Sequence, residues 1–287
     1  MLTVIIGTSS ALIFGAADFL GGLAARRMSA VLTTAIAATT GLIAFSLALP
    51  LLGGTWSSDA VLLGAASGVA GAVAVGLLYA SLAIGPMSIL SPLTAVAAAI
   101  VPLTYGLIGG ERLGPIGYVA LAIALVAIVL VGFVPEKNAV RPSLRGMTMA
   151  IGAGIAIGVF LILIDATPDE SGLVPLVVNR ATNSTIMFTL VGVLAIIAWR
   201  RGSGPAHGVW RSGLLLAVGG GVLDAIANAG LLLGVRLGEL SVMAVLTALY
   251  PAGTIILAAI VLKERIGWLQ YVGLVLGIAA AAMLALA

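Results

Sequence analysis

The sequence predicts an all-α polytopic membrane protein, and its composition is the first observation that indicates this class. Of the 287 residues, 62% are hydrophobic and 8% are charged, whereas a soluble domain has about 45–50% apolar and about 25% charged residues. One soluble core cannot bury this apolar excess, and so few charges cannot solvate a surface. The 38 glycines are a second observation, because small residues let helices approach closely in a bilayer.

Apolar runs of membrane-spanning length are the third observation. A helix needs about 20 residues to cross roughly 30 Å of hydrocarbon, and ten runs bounded by charges, prolines and glycines meet that length. The first run is expected to be a retained span and not a secretory signal, because no basic residue precedes it. The predicted spans are Leu2–Leu23, Ser29–Leu52, Ala60–Ile84, Pro86–Ile108, Pro115–Val134, Gly146–Asp165, Leu173–Trp199, Gly213–Val235, Gly238–Leu262 and Gly267–Ala287.

The cations between the spans predict a membrane orientation. Only Arg112 and Arg236 follow even-numbered spans, while the others follow odd-numbered spans. Because cytoplasmic loops carry an excess of Lys and Arg, both termini are predicted to lie outside the cytoplasm. The net charge of +3 is thereby explained by topology, and no nucleic-acid partner is expected. The cations after odd-numbered spans are Arg26, Arg27, Lys137, Arg141, Arg145, Arg200, Arg201, Arg211, Lys263 and Arg265.

Residue counts and motifs exclude several kinds of functional site. The chain has no cysteine and a single histidine, His207, so disulfides, thiolate metal sites and histidine-cluster metal sites are not expected. It lacks the Gly-x-x-x-x-Gly-Lys phosphate-binding loop, which excludes ATP hydrolysis by that route. We expect no cofactor and no metal.

The two halves of the chain repeat each other. The fourth and fifth predicted spans align with the ninth and tenth without a gap, so that Glu111–Arg112 matches Glu264–Arg265 and Tyr118 matches Tyr271. Each half holds five spans, an odd number, so the two copies must insert with opposite orientation. Such inverted repeats are typical of secondary transporters, which bind substrate near the bilayer midplane between the repeats. We predict a first repeat over 1–134, a connecting loop over 135–145 and a second repeat over 146–287.

The repeated motifs resemble a known family. The segments Ala83–Ser88, Ser91–Leu93 and Gly110–Leu113 are similar to the EamA-type repeat of the drug/metabolite transporter superfamily, and Arg236–Glu239, Leu249–Pro251 and Lys263–Arg265 to its second copy. Phe14–Phe19 departs from the commoner Trp-Gly-x-x-Phe pattern of the first span. The resemblance implies ten helices in two inverted repeats that export amino acids or related metabolites across a bacterial inner membrane. In many members of the family both termini lie in the cytoplasm, which is the opposite of the orientation that the loop charges predict here.

Charged residues within the spans are the first candidates for the site. An ionisable group at a helix centre costs about 2.5–3.5 kcal/mol on insertion scales, so it must face the bundle or a wet cavity. Asp224 and Asn228 lie four residues apart on one helix face and are predicted to line a substrate cavity; alternatively, Asp224 pairs with Arg180. Arg180 can bind a substrate carboxylate, but the favoured role is the structural charge pair. Asp165, at a span end, is expected to be a capping or loop residue.

Asp18 is a candidate for energy coupling. A carboxylate inside the first span can exchange a proton for substrate. The alternative is an interfacial carboxylate that pairs with Arg26 or Arg27, which follow it in the sequence.

Uncharged polar residues cluster around prolines in both halves. Proline removes a helix hydrogen bond, and Pro92, Pro102 and Pro251 lie inside predicted spans. We predict that the neighbouring side chains line the pathway, although packing between helices is the alternative. The two Glu–Arg turns are expected to be structural caps. The predicted pathway residues are Tyr79, Ser91, Thr94, Thr247 and Tyr250.

A secondary carrier working by alternating access is the predicted function. Its expected partners are a small-molecule substrate, the lipid bilayer and coupled protons, and one chain with ten spans suffices for a pathway. Multidrug, nucleoside or sugar export are alternative activities. A channel or assembly subunit is less favoured, because no ring of charges is visible. An intramembrane aspartyl protease using Asp18 and Asp224 is least favoured, because the expected Gly-x-Gly-Asp context is absent at Gly221–Asp224.

Overall fold

A computed structural model describes residues 1–84, 87–131, 143–201, 210–261 and 267–286. The regular secondary structure within these ranges is entirely helical. A 3-10 turn at Asp169–Ser171 separates the sixth from the seventh α-helix. His207 and the Glu264–Arg265 turn lie outside the described residues, as does most of the predicted connecting loop. The α-helices are α1 (Leu2–Arg27), α2 (Ala30–Leu52), α3 (Ser58–Ile84), α4 (Met87–Ile108), α5 (Pro115–Val131), α6 (Leu144–Asp165), α7 (Val174–Arg200), α8 (Trp210–Leu237), α9 (Leu240–Thr247), α10 (Tyr250–Val261) and α11 (Trp268–Leu286).

The helices have the length and hydropathy of membrane spans. Within the described ranges, eight segments are long and apolar enough to cross a bilayer, and two shorter apolar helices correspond to α5 and α11. Each of the ten predicted apolar runs lies on one of these segments. The predicted class, an all-α polytopic membrane protein, is confirmed. The first helix continues to Arg27, four residues beyond the predicted end at Leu23.

The ninth predicted span is broken, which corrects the continuous run expected over Gly238–Leu262. Helix α9 ends at Thr247 and α10 begins at Tyr250. Residue 251 is proline and has no N–H to donate to the Thr247 carbonyl, so the helical ladder stops there. The Ala248 and Leu249 amides instead donate to carbonyls within α9. Prolines 92 and 102 do not have this effect, because α4 runs through both.

Helix packing follows a two-fold pattern across the two halves of the chain. Helix α1 packs on α8 as α3 packs on α6, and α3 packs on α7 as α2 packs on α8. The contact of α4 with α6 has its counterpart in the contact of α1 with α9 and α10. Three further pairs join corresponding helices directly: α2 with α7, α4 with α9, and α5 with α11. Equivalent contacts in the two halves are the packing expected of two five-helix repeats. The predicted repeat boundaries stay a prediction.

One end of the bundle is tied together by polar contacts between its turns. The guanidinium of Arg236, at the end of α8, donates to the carbonyl and the hydroxyl of Thr167 at 2.6 and 2.8 Å. It also forms an ion pair with Asp169. The Thr55 amide and hydroxyl both donate to the Glu170 carbonyl. The turns that follow α2, α6 and α8 therefore lie on the same face of the bundle.

Glu111 caps a helix of the other half of the chain. Its carboxylate oxygens accept from the Leu240 and Ser241 amides at 3.0 and 3.2 Å, at the start of α9. Gly106 makes room for this carboxylate, since a Cβ at that position would collide with it. The predicted capping role is present, and the capped helix is the distant α9.

The replacement Glu111→Ala is expected to lower the free energy of unfolding by about 0.5–2 kcal/mol, because two amides of the first turn of α9 lose their acceptor. Thermal unfolding of the detergent-solubilised protein measures this loss. The matched control is Glu239→Ala, because Glu239 stands at the N-cap of α9 and its side chain makes no cap bond. Equal melting temperatures for the two variants would contradict the capping role.

Candidate functional site

A cavity lies between the helices of the bundle. Helices of both halves form its wall, and the two ends of the broken ninth span meet there. Most of the lining is apolar, and the polar side chains come from α1, α7, α8 and the α9–α10 break. A mixed wall with a few convergent polar groups is the usual composition of a small-molecule site. The lining residues are Phe14, Asp18, Gly71, Ala74, Val75, Leu78, Ala98, Ile157, Phe160, Leu161, Asn179, Arg180, Asn183, Asp224, Asn228, Leu231, Ala244, Thr247, Ala248 and Tyr250.

An ion pair between α7 and α8 forms one side of the cavity. Arg180 Nη2 lies 2.6 Å from Asp224 Oδ2, and the two side chains are 6% and 17% exposed. The Asn228 amide donates to Asp224 Oδ1 at 3.1 Å and to the Asp224 carbonyl at 2.8 Å. The pairing considered from the sequence is thus present. Because each charge is compensated where it is buried, the pair avoids the large cost of an isolated ion.

Two asparagines flank Arg180 on α7 and lie on the cavity wall. Asn179 donates to Ser67 Oγ of α3 at 2.9 Å, which holds α7 against the first half of the chain. Asn183 is 1% exposed, and its Oδ1 has no hydrogen-bond partner among the described residues. The cavity therefore contains a buried acceptor that a bound molecule can satisfy.

Asp18 lies on the cavity wall, and no cation in the described part of the chain pairs with it. The structure shows two ion pairs among the residues it describes, and Asp18 takes part in neither. The alternative pairing with Arg26 or Arg27 is therefore not seen in this part of the chain. Phe14, one helical turn before Asp18 on α1, also lines the cavity.

The break between α9 and α10 brings backbone and side-chain groups to the cavity. Thr247, Ala248 and Tyr250 all line it. The Thr247 hydroxyl donates to the Met243 carbonyl at 2.7 Å, and the Tyr250 hydroxyl donates to the Ser91 carbonyl of α4 at 3.2 Å. The tyrosine thus connects the break to the opposite half. Irregular backbone inside a membrane protein is expected only where it is buried in protein or lines a cavity.

Six of the residues predicted for the site lie on the cavity wall. They are Asp18, Arg180, Asp224, Asn228, Thr247 and Tyr250.

Tyr79, Ser91 and Thr94 are not among the residues that line this cavity, and their expected place on the pathway stays a prediction. The Tyr79 ring packs against Gly21 of α1. Ser91 contributes only its carbonyl, to Tyr250, and the Thr94 hydroxyl donates to the Leu90 carbonyl within α4 at 3.0 Å.

Sequence reasoning missed several lining residues. Asn179 and Asn183 carry a recognisable signal, because they flank an intramembrane arginine at helical spacing. Phe14 stands four residues before Asp18, on the same helix face, and that spacing could have identified it. Phe160 has no such signal, since its sequence neighbours on α6 are apolar.

The arrangement does not resemble a catalytic carboxylate pair. Asp18 and Asp224 share the cavity, but Asp224 is engaged by Arg180 and Asn228, whereas an aspartic dyad shares one proton between its two carboxyl groups. Asp165 is the last residue of α6 and does not line the cavity. Among the described residues, no group of three or more His, Cys, Asp or Glu side chains is placed to hold a metal ion.

Comparisons with known proteins give a family and a fold. Residues 144–286, about half of the chain, match the model of the EamA-like transporter family. One solved crystal structure is similar to the chain with a TM-score of 0.73 and 16% sequence identity, covering 99% of this chain and 96% of that one. At this identity the likeness shows a shared fold. No curated protein matches the sequence.

Proposed function

Because this chain belongs to the EamA-like transporter family, a family of membrane transporters of small metabolites, we propose that it is a secondary carrier that exports amino acids or similar small metabolites. The single observation that carries the proposal is the cavity between the two halves of the chain, with its mostly apolar wall and few polar groups. Its apolar majority and few convergent polar groups suit a metabolite-sized organic molecule.

The two-fold packing of the helices supports alternating access. Substrate sites of inverted-repeat carriers lie at the repeat interface, where discontinuous helices supply backbone groups. Here the broken ninth span ends at the cavity with Thr247 and resumes with Tyr250. In the proposed cycle, two similar halves close opposite faces in turn, so that the cavity never opens to both sides together.

The energy source and the location belong to the same proposal. The sequence has no phosphate-binding loop for ATP, so a gradient of substrate or of protons drives transport. Asp18 is the proposed proton carrier, since it lines the cavity and no cation of the described residues pairs with it. We place the chain in a bacterial inner membrane with both termini outside the cytoplasm, as a monomer with a complete pathway. In this orientation Arg112, which follows α4, and Arg236, at the end of α8, lie on the side of the membrane away from the cytoplasm.

Counterflow in proteoliposomes tests the proposal. Vesicles containing the purified protein are loaded with an unlabelled amino acid and diluted into the same labelled amino acid, across a panel of side chains. A carrier is expected to accumulate label transiently and to saturate with concentration, whereas protein-free liposomes do neither. Fast flux that neither saturates nor shows counterflow would indicate a channel and would overturn the proposal.

A further inference from the structure

We propose that the cavity recognises its substrate through a protonated amine held by the Asp18 carboxylate, and that it offers no cation to a substrate carboxylate. This inference rests on the proposed function and narrows its substrate class to amines, including amino acids through their amino group. It makes the carboxylate of an amino acid dispensable for transport.

The balance of charge on the cavity wall is the first argument. Three charged side chains line it: Asp18, Arg180 and Asp224. Arg180 and Asp224 neutralise each other at 2.6 Å, which leaves the Asp18 carboxylate without a described counter-ion. In a poorly solvated cavity, an uncompensated negative charge attracts a cation more strongly than it does in water.

The second argument is that Arg180 is not free for a substrate. Its Nη2 is bound to Asp224. Its Nε has no hydrogen-bond partner among the described residues, but it is buried and packed on α2, where it lies 3.3 Å from the position that a Cβ on Gly41 would occupy. A substrate carboxylate that took Nη2 would displace Asp224 and leave that carboxylate buried and unpaired, which is strongly unfavourable.

The third argument is that two further groups on the cavity wall are acceptors. Asn183 Oδ1 is buried without a partner among the described residues. The Thr247 carbonyl receives no N–H from residue 251, which is proline, and it stands at the C-terminal end of α9, where the helix dipole favours positive charge. An ammonium group has three donors and no acceptor, so it complements this set. Phe14, one turn from Asp18, provides an aromatic neighbour for a cation.

Matched compounds test the inference with the intact protein. For each of leucine, phenylalanine and serine, proteoliposome counterflow is measured with the labelled amino acid, its amide and its N-acetyl derivative. The amide keeps the amine and removes the carboxylate, whereas acetylation removes the positive charge and keeps the carboxylate. We expect the amino acid and its amide to be carried at similar rates, and the N-acetyl derivative about tenfold more slowly or worse, as loss of a charged hydrogen bond predicts.

The variant Asp18→Asn is expected to reduce transport of both amines by about tenfold or more. The control is Asp59→Asn, which neutralises an exposed carboxylate at the start of α3, outside the cavity, and should transport as the wild type does. Melting temperatures show whether each variant folds. If Asp18→Asn does not fold, the comparison of the matched compounds on the wild-type protein still tests the inference.

Each outcome is decisive. Equal transport of the amine and N-acetyl compounds would overturn the inference and leave the carrier function standing. Transport of the amino acids but not of their amides would show that a carboxylate is required, and would overturn it too. The absence of saturable flux for every compound would contradict the proposed function itself.

Discussion

The variant Arg180→Met is expected to destabilise the protein by about 3–5 kcal/mol, the usual cost of removing one partner of a buried ion pair. The Asp224 carboxylate would keep its Asn228 bond and lose its only described cation. Unfolding temperature in detergent measures the effect. The matched control is Arg200→Met at the exposed end of the same helix, which should change stability little.

A double variant separates charge compensation from packing. Replacing both partners, in Arg180→Met/Asp224→Leu, leaves no buried ion and is expected to recover most of the lost stability, while transport stays impaired. Asp224→Asn should fold, because Asn can still accept from Arg180 and from Asn228, but its transport should fall as well. A melting temperature of Arg180→Met equal to that of the wild type would show that the pair does not matter for stability. Wild-type flux in Asp224→Asn would remove Asp224 from the mechanism.

The variant Gly15→Ala is expected to destabilise the protein by about 1–3 kcal/mol, or more, through overpacking. A Cβ at residue 15 would lie well inside van der Waals contact of the Tyr250 carbonyl oxygen and 2.6 Å from the Thr254 nitrogen. These are backbone atoms of α10, so no side-chain rotation can relieve the clash. Helix α1 would have to move away, and with it the Thr254 hydroxyl would lose the Gly15 carbonyl, now 3.1 Å away.

The same variant should impair transport, because α1 and α10 carry Asp18 and Tyr250 on the cavity wall. Gly192→Ala is the matched control: it lies in α7, and beyond the adjoining turns of its own helix no described atom lies within 4 Å of its added Cβ. There, alanine should be neutral or stabilising by up to about 1 kcal/mol, from helix propensity alone. If the two alanine variants melted together, the close approach of α1 to α10 would have no energetic importance.

The membrane class and the helices follow from the sequence because their cause is local. A backbone inside hydrocarbon must satisfy its own hydrogen bonds, so each apolar run of about 20 residues becomes a helix. The internal repeat is readable for a similar reason, since matching polar residues such as Glu111 and Glu264 do not arise from hydrophobicity alone. Charged residues inside spans were recognisable as candidates for a cavity wall, because their cost in the bilayer requires a partner or a cavity. In the structure, Asp18, Arg180 and Asp224 all line the cavity between the two halves.

The orientation of each helix about its axis was decided only by the tertiary structure. In a soluble protein an apolar stripe identifies the buried face, but here the face towards lipid and the face towards the bundle are both apolar. Polar residue type therefore did not reveal that Thr247 lines the cavity and Thr94 does not, although the two align in the repeat and both hydroxyls donate to a carbonyl of their own helix. Nor could it show that Pro251 ends a helix while Pro92 does not, because a proline break persists only where neighbouring groups accept the freed backbone. The partner of Glu111, the amide end of a helix some 130 residues later in the chain, likewise depends on how the two halves pack.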